Sequence, residues 1–279
     1  MLWYRNENLG KILKILHLKK FTLKVITSLR YLGFDVWGSV EKVRSLKYFS
    51  RYRKELREFQ KLGGRVDRNF MILADYSDQS GEATGHYFHQ DLLVAQMIFH
   101  DNPNRHIDVG SSIGGFVAHV ASFREIEVLD VRPLIETGHS NIIFHQADLM
   151  KENALEITDS LSCLHVIEHF GLGRYGDSID PKGYIKGFNN LIDMLKPGGV
   201  LYISFPIGEN NKVYFNAHRV FHPLDILSWS DKPITLTRFD YVDIDGKLQT
   251  IVDVENEKLN ILEYGCGIYT FRKSDTPDF

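Results

Sequence analysis

The stretch "HIDVGSSIGGFVAHVA", His106 to Ala121, decides how the rest of the chain is read. It runs from a short strand through a tight turn into a helix. Glycines let a backbone turn sharply and let a ligand come close to the main chain. The N–H groups that open the following helix can meet a negative group. A dinucleotide site spaces its glycines Gly-x-Gly-x-x-Gly, so that a pyrophosphate rests on the helix start. Here Gly110, Gly114 and Gly115 fall in another spacing, and an acid, Asp108, stands two residues before the first glycine.

That difference has a chemical meaning. S-adenosylmethionine carries an ammonium and a sulfonium and no phosphate, so acids around its turn are favourable. Asp130 ends the next strand, about 20 residues on, where a carboxylate accepts ribose hydroxyls.

Outward from the turn, short apolar strands alternate with amphipathic helices, the pattern of a doubly wound α/β sheet. Strands are expected at 106–110, 126–130, 142–146, 161–166 and 200–206. Helices are expected over 86–100, along "GGFVAHVASF", over 181–195 and near 222–230. "ITLTRFDYVDI", the turn Asp245-Gly246, "LQTIVDV" and "CGIYTFRK" then predict an antiparallel end to the sheet. Residues 73–85, rich in Ser, Gly and Asp, read as a loop. The expected organisation is a basic helical region over 1–70, a linker over 71–85 and the α/β domain over 86–279.

The net charge of −3 conceals an asymmetry. Residues 1–68 hold 17 Lys and Arg against 6 Asp and Glu, and the remainder holds 16 against 30. A basic end suggests an anionic partner such as a membrane surface, a phosphorylated carrier or nucleic acid, or else a solvated face against an acidic body. Residues 11–32 read as a basic amphipathic helix that could lie in a membrane interface. A second helix is expected from a Ser39 cap to Gly63-Gly64, with Val43, Leu46, Phe49, Leu56 and Phe59 turned to a core. No apolar run of about 18 residues is present, so no membrane-spanning helix is expected. Nor is a secretory leader. Two cysteines, Cys163 and Cys266, make no disulfide framework, and the setting that fits is a reducing cytoplasm, peripheral to the membrane if the basic end binds lipid.

Residues 86–272 resemble the class I S-adenosylmethionine-dependent methyltransferases. The family's Asp/Glu-x-Gly-x-Gly-x-Gly reads "DVGSSIG" here, with Ser112 at the middle glycine. "EVLDVRP" matches the ribose-binding acid at Asp130, and "HQADLM" the adenine-contacting acid at Asp148. "LHVIEH" ends the fourth strand, and "LKPGG" precedes the fifth. The chain is also similar to an uncharacterised methyltransferase-like family, some members of which occur among bacterial surface-polysaccharide genes. The resemblance implies a Rossmann-like, mostly parallel sheet with an antiparallel C-terminal hairpin, and S-adenosylmethionine as cofactor. It implies a cofactor set of Asp108, Gly110, Ser111, Ser112, Gly114, Asp130, Val131, Asp148, Leu149 and His165.

Methyl transfer to a hydroxyl needs an aligned nucleophile and a group to take its proton. The fold puts the ends of strands four and five at that place. His165, Glu168 and His169, at i, i+3 and i+4, therefore face the reaction. The preferred reading gives His165 to the cofactor side and makes His169, Glu168 and His218 the catalytic candidates. Tyr214, Asn216 and Arg219 are candidates for the acceptor, with Arg219 as an anion clamp. A metal held by His165, Glu168, His169 and His222 is the minority reading, and no metal is expected. The acceptor is expected to be a small molecule, a hydroxyl of a sugar or glycan precursor, and not nucleic acid. The alternatives are a non-catalytic module of the same fold in a membrane-proximal glycan-assembly complex, and a metal-assisted RNA ribose 2′-O-methyltransferase.

Overall fold

The computed structural model describes residues 32–81, 83–151 and 155–275, together with Ile26. The helix expected over 11–32 falls, but for Ile26 and Leu32, outside them. The chain divides into two units, Met1–Glu82 and Ala83–Phe279.

In the first unit, α1 spans Val36–Ser45 and α2 spans Phe49–Lys61, with a 3-10 turn at Leu46–Tyr48 between them. The cap is Asp35 rather than Ser39. Asp35 Oδ1 accepts from the Gly38 N–H at 3.0 Å, satisfying a helix-end donor, and Ser39 donates its hydroxyl back to Asp35 O at 2.7 Å. After α2, Gly63 takes φ +89 and Gly64 N–H reaches Phe59 O. The stripe expected to face a core is open instead: Val43, Leu46, Phe49 and Phe59 are exposed. Polar and aromatic contacts tie the unit together. Glu55 pairs with Arg51 at 2.8 Å and with the Tyr76 hydroxyl, and the Arg51 guanidinium lies 4.3 Å from the centre of the Tyr76 ring.

The second unit opens with α3 (His86–Asp101) and β1 (His106–Val109). A wide turn at Ile113–Val117 runs into one α turn, α4 (Ala118–Ala121). Then come β2 (Ile126–Asp130), β3 (Ile142–Gln146), β4 (Thr158–Leu164), α5 (Gly183–Met194) and β5 (Leu195–Ile207). β6 (Lys212–Tyr214) and β7 (His218–Val220) form a separate hairpin. β8 (Ile234–Val242), β9 (Leu248–Gln249) and β10 (Gly265–Lys273) finish the sheet. Its order is β3-β2-β1-β4-β5-β10-β8-β9, parallel through β5 and antiparallel beyond. This is the Rossmann-like sheet with an antiparallel end. The direction of winding reverses between β1 and β4, and such a reversal opens a crevice at the carboxyl ends of the strands.

Both faces are packed. Phe188, Leu191 and Ile192 of α5 join Phe205, Phe221 and Trp229 on one face. On the other, Val94 and Ile98 of α3 join Phe116, Val120, Val128 and Ile268. Each such side chain contributes about 1.5–3 kcal/mol when fully buried. Burial on both faces is why β5 reads as a nearly continuous apolar run from Val200 to Ile207, whereas β1 and β4 bury the polar His106, Asp108, Ser160 and Ser162.

Several element bounds differ from expectation. β4 begins at Thr158 and stops at Leu164, so His165 and Val166 lie past its end. The helix expected along "GGFVAHVASF" is cut short by a non-helical Gly115 (φ −111, ψ −107). β5 already pairs at Leu195, and "KPGG" bulges out before pairing resumes at Val200, with Gly198 at φ +73. Near 222–230 there is only a 3-10 turn, Asp225–Ser228. "LQTIVDV" shrinks to β9 because Asp240 Oδ1 takes the Ile251 N–H at 2.8 Å and draws the chain out of register.

Gly110 fixes the turn after β1. Its φ is +68, its N–H donates to Leu129 O at 2.8 Å, and a Cβ there would stand 2.7 Å from Val166 Cγ1. Gly110→Ala should therefore cost about 1–2 kcal/mol for the left-handed backbone, plus the contact. Adding Val166→Ala should recover only the contact part. Urea unfolding measures both, and a Gly110→Ala chain as stable as the parent would contradict this geometry.

Candidate active site

Beneath the turn lies a buried polar network. The Asp108 carboxylate accepts from Ser111 N–H (3.0 Å), Ser111 Oγ (2.6 Å) and Ser162 Oγ (2.6 Å). Ser162 sits opposite Asp108 in the β1–β4 pairing. With its proton given to Asp108, Ser162 Oγ accepts from His106 Nε2 at 3.1 Å, and Ser160 Oγ donates to His106 Nδ1 at 2.8 Å. Ser111 Oγ also takes the Leu164 N–H at 3.2 Å. Burial holds His106 neutral, its pKa pushed down to about 3, and pushes Asp108 up to about 6 against the pull of Ser111 and Ser162.

Above the turn, at the carboxyl ends of β1, β2 and β4, opens a cleft. Of the residues expected at a cofactor, Gly110, Asp130, Val131, Asp148, Leu149 and His165 line it. Asp108 and Ser111 do not: they are buried below and hold the turn. Ser112 and Gly114 are exposed and stand outside the lining. The cleft has two further walls that the motifs did not show, Arg132 and Tyr175. Asp130 Oδ1 accepts from the Arg132 N–H (2.8 Å) and Nε (2.9 Å), while Oδ2 meets Nη2 at 2.5 Å. The guanidinium lies 4.4 Å from the centre of the Tyr175 ring. Asp148 is turned by the Met150 N–H (3.1 Å) and paired with Lys151 Nζ (3.0 Å). Asp177 ties down the loop that carries Tyr175, accepting from the N–H groups of Gly171, Gly173 and Tyr175.

His165 also belongs to a second, aromatic chamber. It holds φ +55, a strained conformation for a non-glycine residue that tends to occur at functional sites. Its ring lies 5.5 Å from that of His86, near parallel, and 4.9 Å from Tyr87. Tyr264 stacks on His86 at 5.4 Å. Glu168, 1% exposed, meets His165 Nδ1 at 3.0 Å and His169 Nε2 at 3.7 Å through one oxygen. His169 Nδ1 lies 2.7 Å from Ala217 O, so that nitrogen carries the proton and Nε2 is left as an acceptor. Among the described residues, the buried side-chain polar atoms without a partner are His86 Nε2, His165 Nε2, Glu168 Oε2 and His218 Nε2. Burial lowers the pKa of all four histidines here, His86 to about 3 and His165 to about 4, with His169 and His218 also below normal. It raises Glu168. Each of these neutral imidazoles keeps one ring nitrogen as a lone pair.

The acceptor-side expectations divide. Tyr214 and Asn216 are exposed on the β6–β7 hairpin, with Tyr214 5.2 Å from His218. Arg219 is not an anion clamp. It is 4% exposed, and its Nη1 donates to the carbonyls of Glu168 (3.2 Å) and Phe170 (2.7 Å), so it pins the segment behind the site. His222 does not complete a metal set with His165, Glu168 and His169. Its N–H goes to Asn211 Oδ1 and its Nδ1 accepts from Leu224 N–H, which keeps it in its own turn.

The pattern of a family described as "Caenorhabditis protein of unknown function, DUF268" matches residues 140–263. No curated protein matches. Among solved structures, a provisionally assigned sarcosine dimethylglycine methyltransferase from Galdieria sulphuraria is similar at 15% identity, over 78% of this chain and 97% of that one, with a TM-score of 0.51. The [4+2]-cyclase SpnF is similar at 14% identity, over 67% and 82% of the two chains, with a TM-score of 0.50. One fold thus carries a methyltransferase and a cyclase, and the reaction must be argued from the site.

Asp108 gives a test of the network. Its folded pKa of about 6 lies above the ordinary 3.8, so the folded chain holds that proton more tightly. The resulting stability is full below the unfolded pKa and is lost as pH rises through the folded one. Buried His86, His106 and His165 tilt the curve the other way, and they cancel in a difference. The unfolding free energy of the parent minus that of Asp108→Asn should therefore fall from pH 4 to pH 6. A flat difference would place the carboxyl in water.

Proposed function

We propose that this chain is an S-adenosylmethionine-dependent methyltransferase acting on a small molecule, at a hydroxyl of a sugar or glycan precursor. The observation that carries this reading is the position of His165. It stands between an acid-lined cleft and a chamber of unpartnered proton acceptors.

The cleft suits the cofactor. Asp130 and Asp148 supply negative charge to a ligand that is cationic and lacks phosphate, and Gly110 lets it approach the main chain. Asp130 would take the ribose hydroxyls, sharing its oxygens with or releasing Arg132, and Asp148 with Leu149 would hold the adenine. When bound, S-adenosylmethionine supplies a methyl group on a positively charged sulfur, with a neutral thioether as leaving group. The chain's own part is alignment and proton removal. His169 and His218 take the acceptor's proton, and Glu168 stabilises the imidazolium so formed. Arg219 fixes the backbone that presents Glu168. Tyr214 and Asn216 meet the acceptor at the open rim.

We assign the basic segment 1–68 to an anionic membrane surface, with Leu62 among its exposed apolar residues. Its charge balance of 17 to 6 supports this. The full chain should float with vesicles containing phosphatidylserine and lose flotation on deletion of the segment; equal flotation of both forms would reject the assignment.

Calorimetry with S-adenosylhomocysteine tests the main reading, and a chain that does not bind it is not this enzyme. Asp130→Ala should weaken binding by about tenfold or more, the loss of charged hydrogen bonds worth about 1.5–3 kcal/mol. His218→Ala, at a residue outside the cleft, should leave that affinity intact and lower turnover by about 10²–10⁴.

A further inference from the structure

Three side chains from separate elements converge beside Glu168. His86 is the first residue of α3, His165 follows β4, and Cys266 is the second residue of β10. One ring nitrogen from each histidine and the Cys266 Sγ all lie within 4.8 Å of one another. The Nε2 atoms of both histidines are shut from solvent without a hydrogen-bond partner. The His165 side chain is 6% exposed, and Cys266 is fully buried. The thiol meets Gln90 Oε1 and Gly267 O at 3.7 Å each, a weak engagement. From this convergence we infer that His86, His165 and Cys266 form a centre for a divalent metal ion of the zinc class.

The donor set selects the ion. Two imidazoles and a thiolate suit zinc or a similar borderline ion, whereas magnesium and calcium take oxygen. Zinc is bound at about 2.0–2.1 Å from nitrogen and 2.3 Å from sulfur, so the three side chains close on it by small rotations. The surroundings of His165 match those of a metal ligand. Its Nδ1–H points at Glu168 Oε1, 3.0 Å away. A carboxylate in that place fixes the tautomer and leaves Nε2 as a lone pair for the metal. On ligation Cys266 gives up its proton to solvent. Three protein ligands leave a fourth position, the arrangement of zinc sites that activate a water or a substrate. In the chamber that position would take the oxygen of the acceptor, with Glu168 Oε2 and His218 Nε2 at hand for its proton. Only this last use of the site rests on the methyl-transfer reading.

The test uses the full chain, stripped with chelator and titrated with cobalt(II), and separately with zinc under mass-spectrometric metal analysis. One equivalent of cobalt should bind, with the near-ultraviolet absorption of a thiolate–cobalt bond. Cys266→Ser should abolish that absorption, and His86→Ala should weaken binding at least tenfold. Glu168→Gln should weaken it about 10–100-fold, as loss of a metal ligand's hydrogen-bond partner does. His222→Ala should bind as the parent does. Circular dichroism of each variant separates lost folding from lost ligation, and Cys266→Ala serves if the serine form does not fold. Failure of the parent to bind either ion overturns the inference, as does parental binding by both Cys266→Ser and His86→Ala. S-adenosylhomocysteine affinity on the same preparations tells the two readings apart: cofactor bound without metal sinks this inference alone.

Discussion

The carboxylate of Asp108, buried and holding three donors, is the constraint on which the site depends. It lies where the sheet reverses direction and ties β1, the turn and β4 to one point. A charge with no access to water is tolerated only when fully hydrogen-bonded. Its partners therefore cannot move independently. Ser111 fixes the turn that bears Gly110, and Ser162 fixes the register of β4, whose end presents His165. Cleft and chamber inherit their relative position from this one group.

What was legible in the sequence was local. The turn after β1, the acids closing β2 and following β3, and the run from His165 to His169 lie within short stretches whose strand–turn–helix alternation announces them. β2 and β3 have the expected bounds because apolar runs between polar turns define them well. The chamber was less legible because it is assembled from afar. His86 and Tyr87 precede β1, whereas Tyr264 and Cys266 come about 180 residues later, and only the antiparallel return of β10 brings them together. No spacing rule spans that distance. Arg132 was hidden for another reason. It sits inside the motif that names Asp130, yet its pairing depends on Tyr175, which lies beyond β4. Arg219 shows the reverse error, for a charged residue in a loop suggests a ligand, and here it serves three backbone carbonyls.

Cleft and chamber obey different electrostatics. In the cleft, Asp130 is answered by Arg132 and Asp148 by Lys151, so its acids are balanced by flexible cations that a cationic ligand can replace. In the chamber, burial has removed charge from the imidazoles, and Arg174 reaches only its edge, with Nη1 3.3 Å from His169 Nδ1. The first arrangement suits exchange of a charged ligand, and the second suits proton transfer in a dry space. His165 faces both, and its left-handed backbone is what lets one side chain do so.

The cleft is lined wholly by residues between Val109 and Asp177, whereas the chamber waits for Tyr264 and Cys266. During synthesis the lining of the cleft leaves the ribosome well before the strand that closes the chamber. β10 also lies between β5 and β8, so its late arrival completes the sheet as well as the site. A nascent chain is thus committed to its most non-local pairing last, when loop closure is most costly in entropy. Loss of the final strand by nonsense mutation or proteolysis would remove the Cys266 thiol, the ring of Tyr264 and the shared neighbour of β5 and β8 at one stroke.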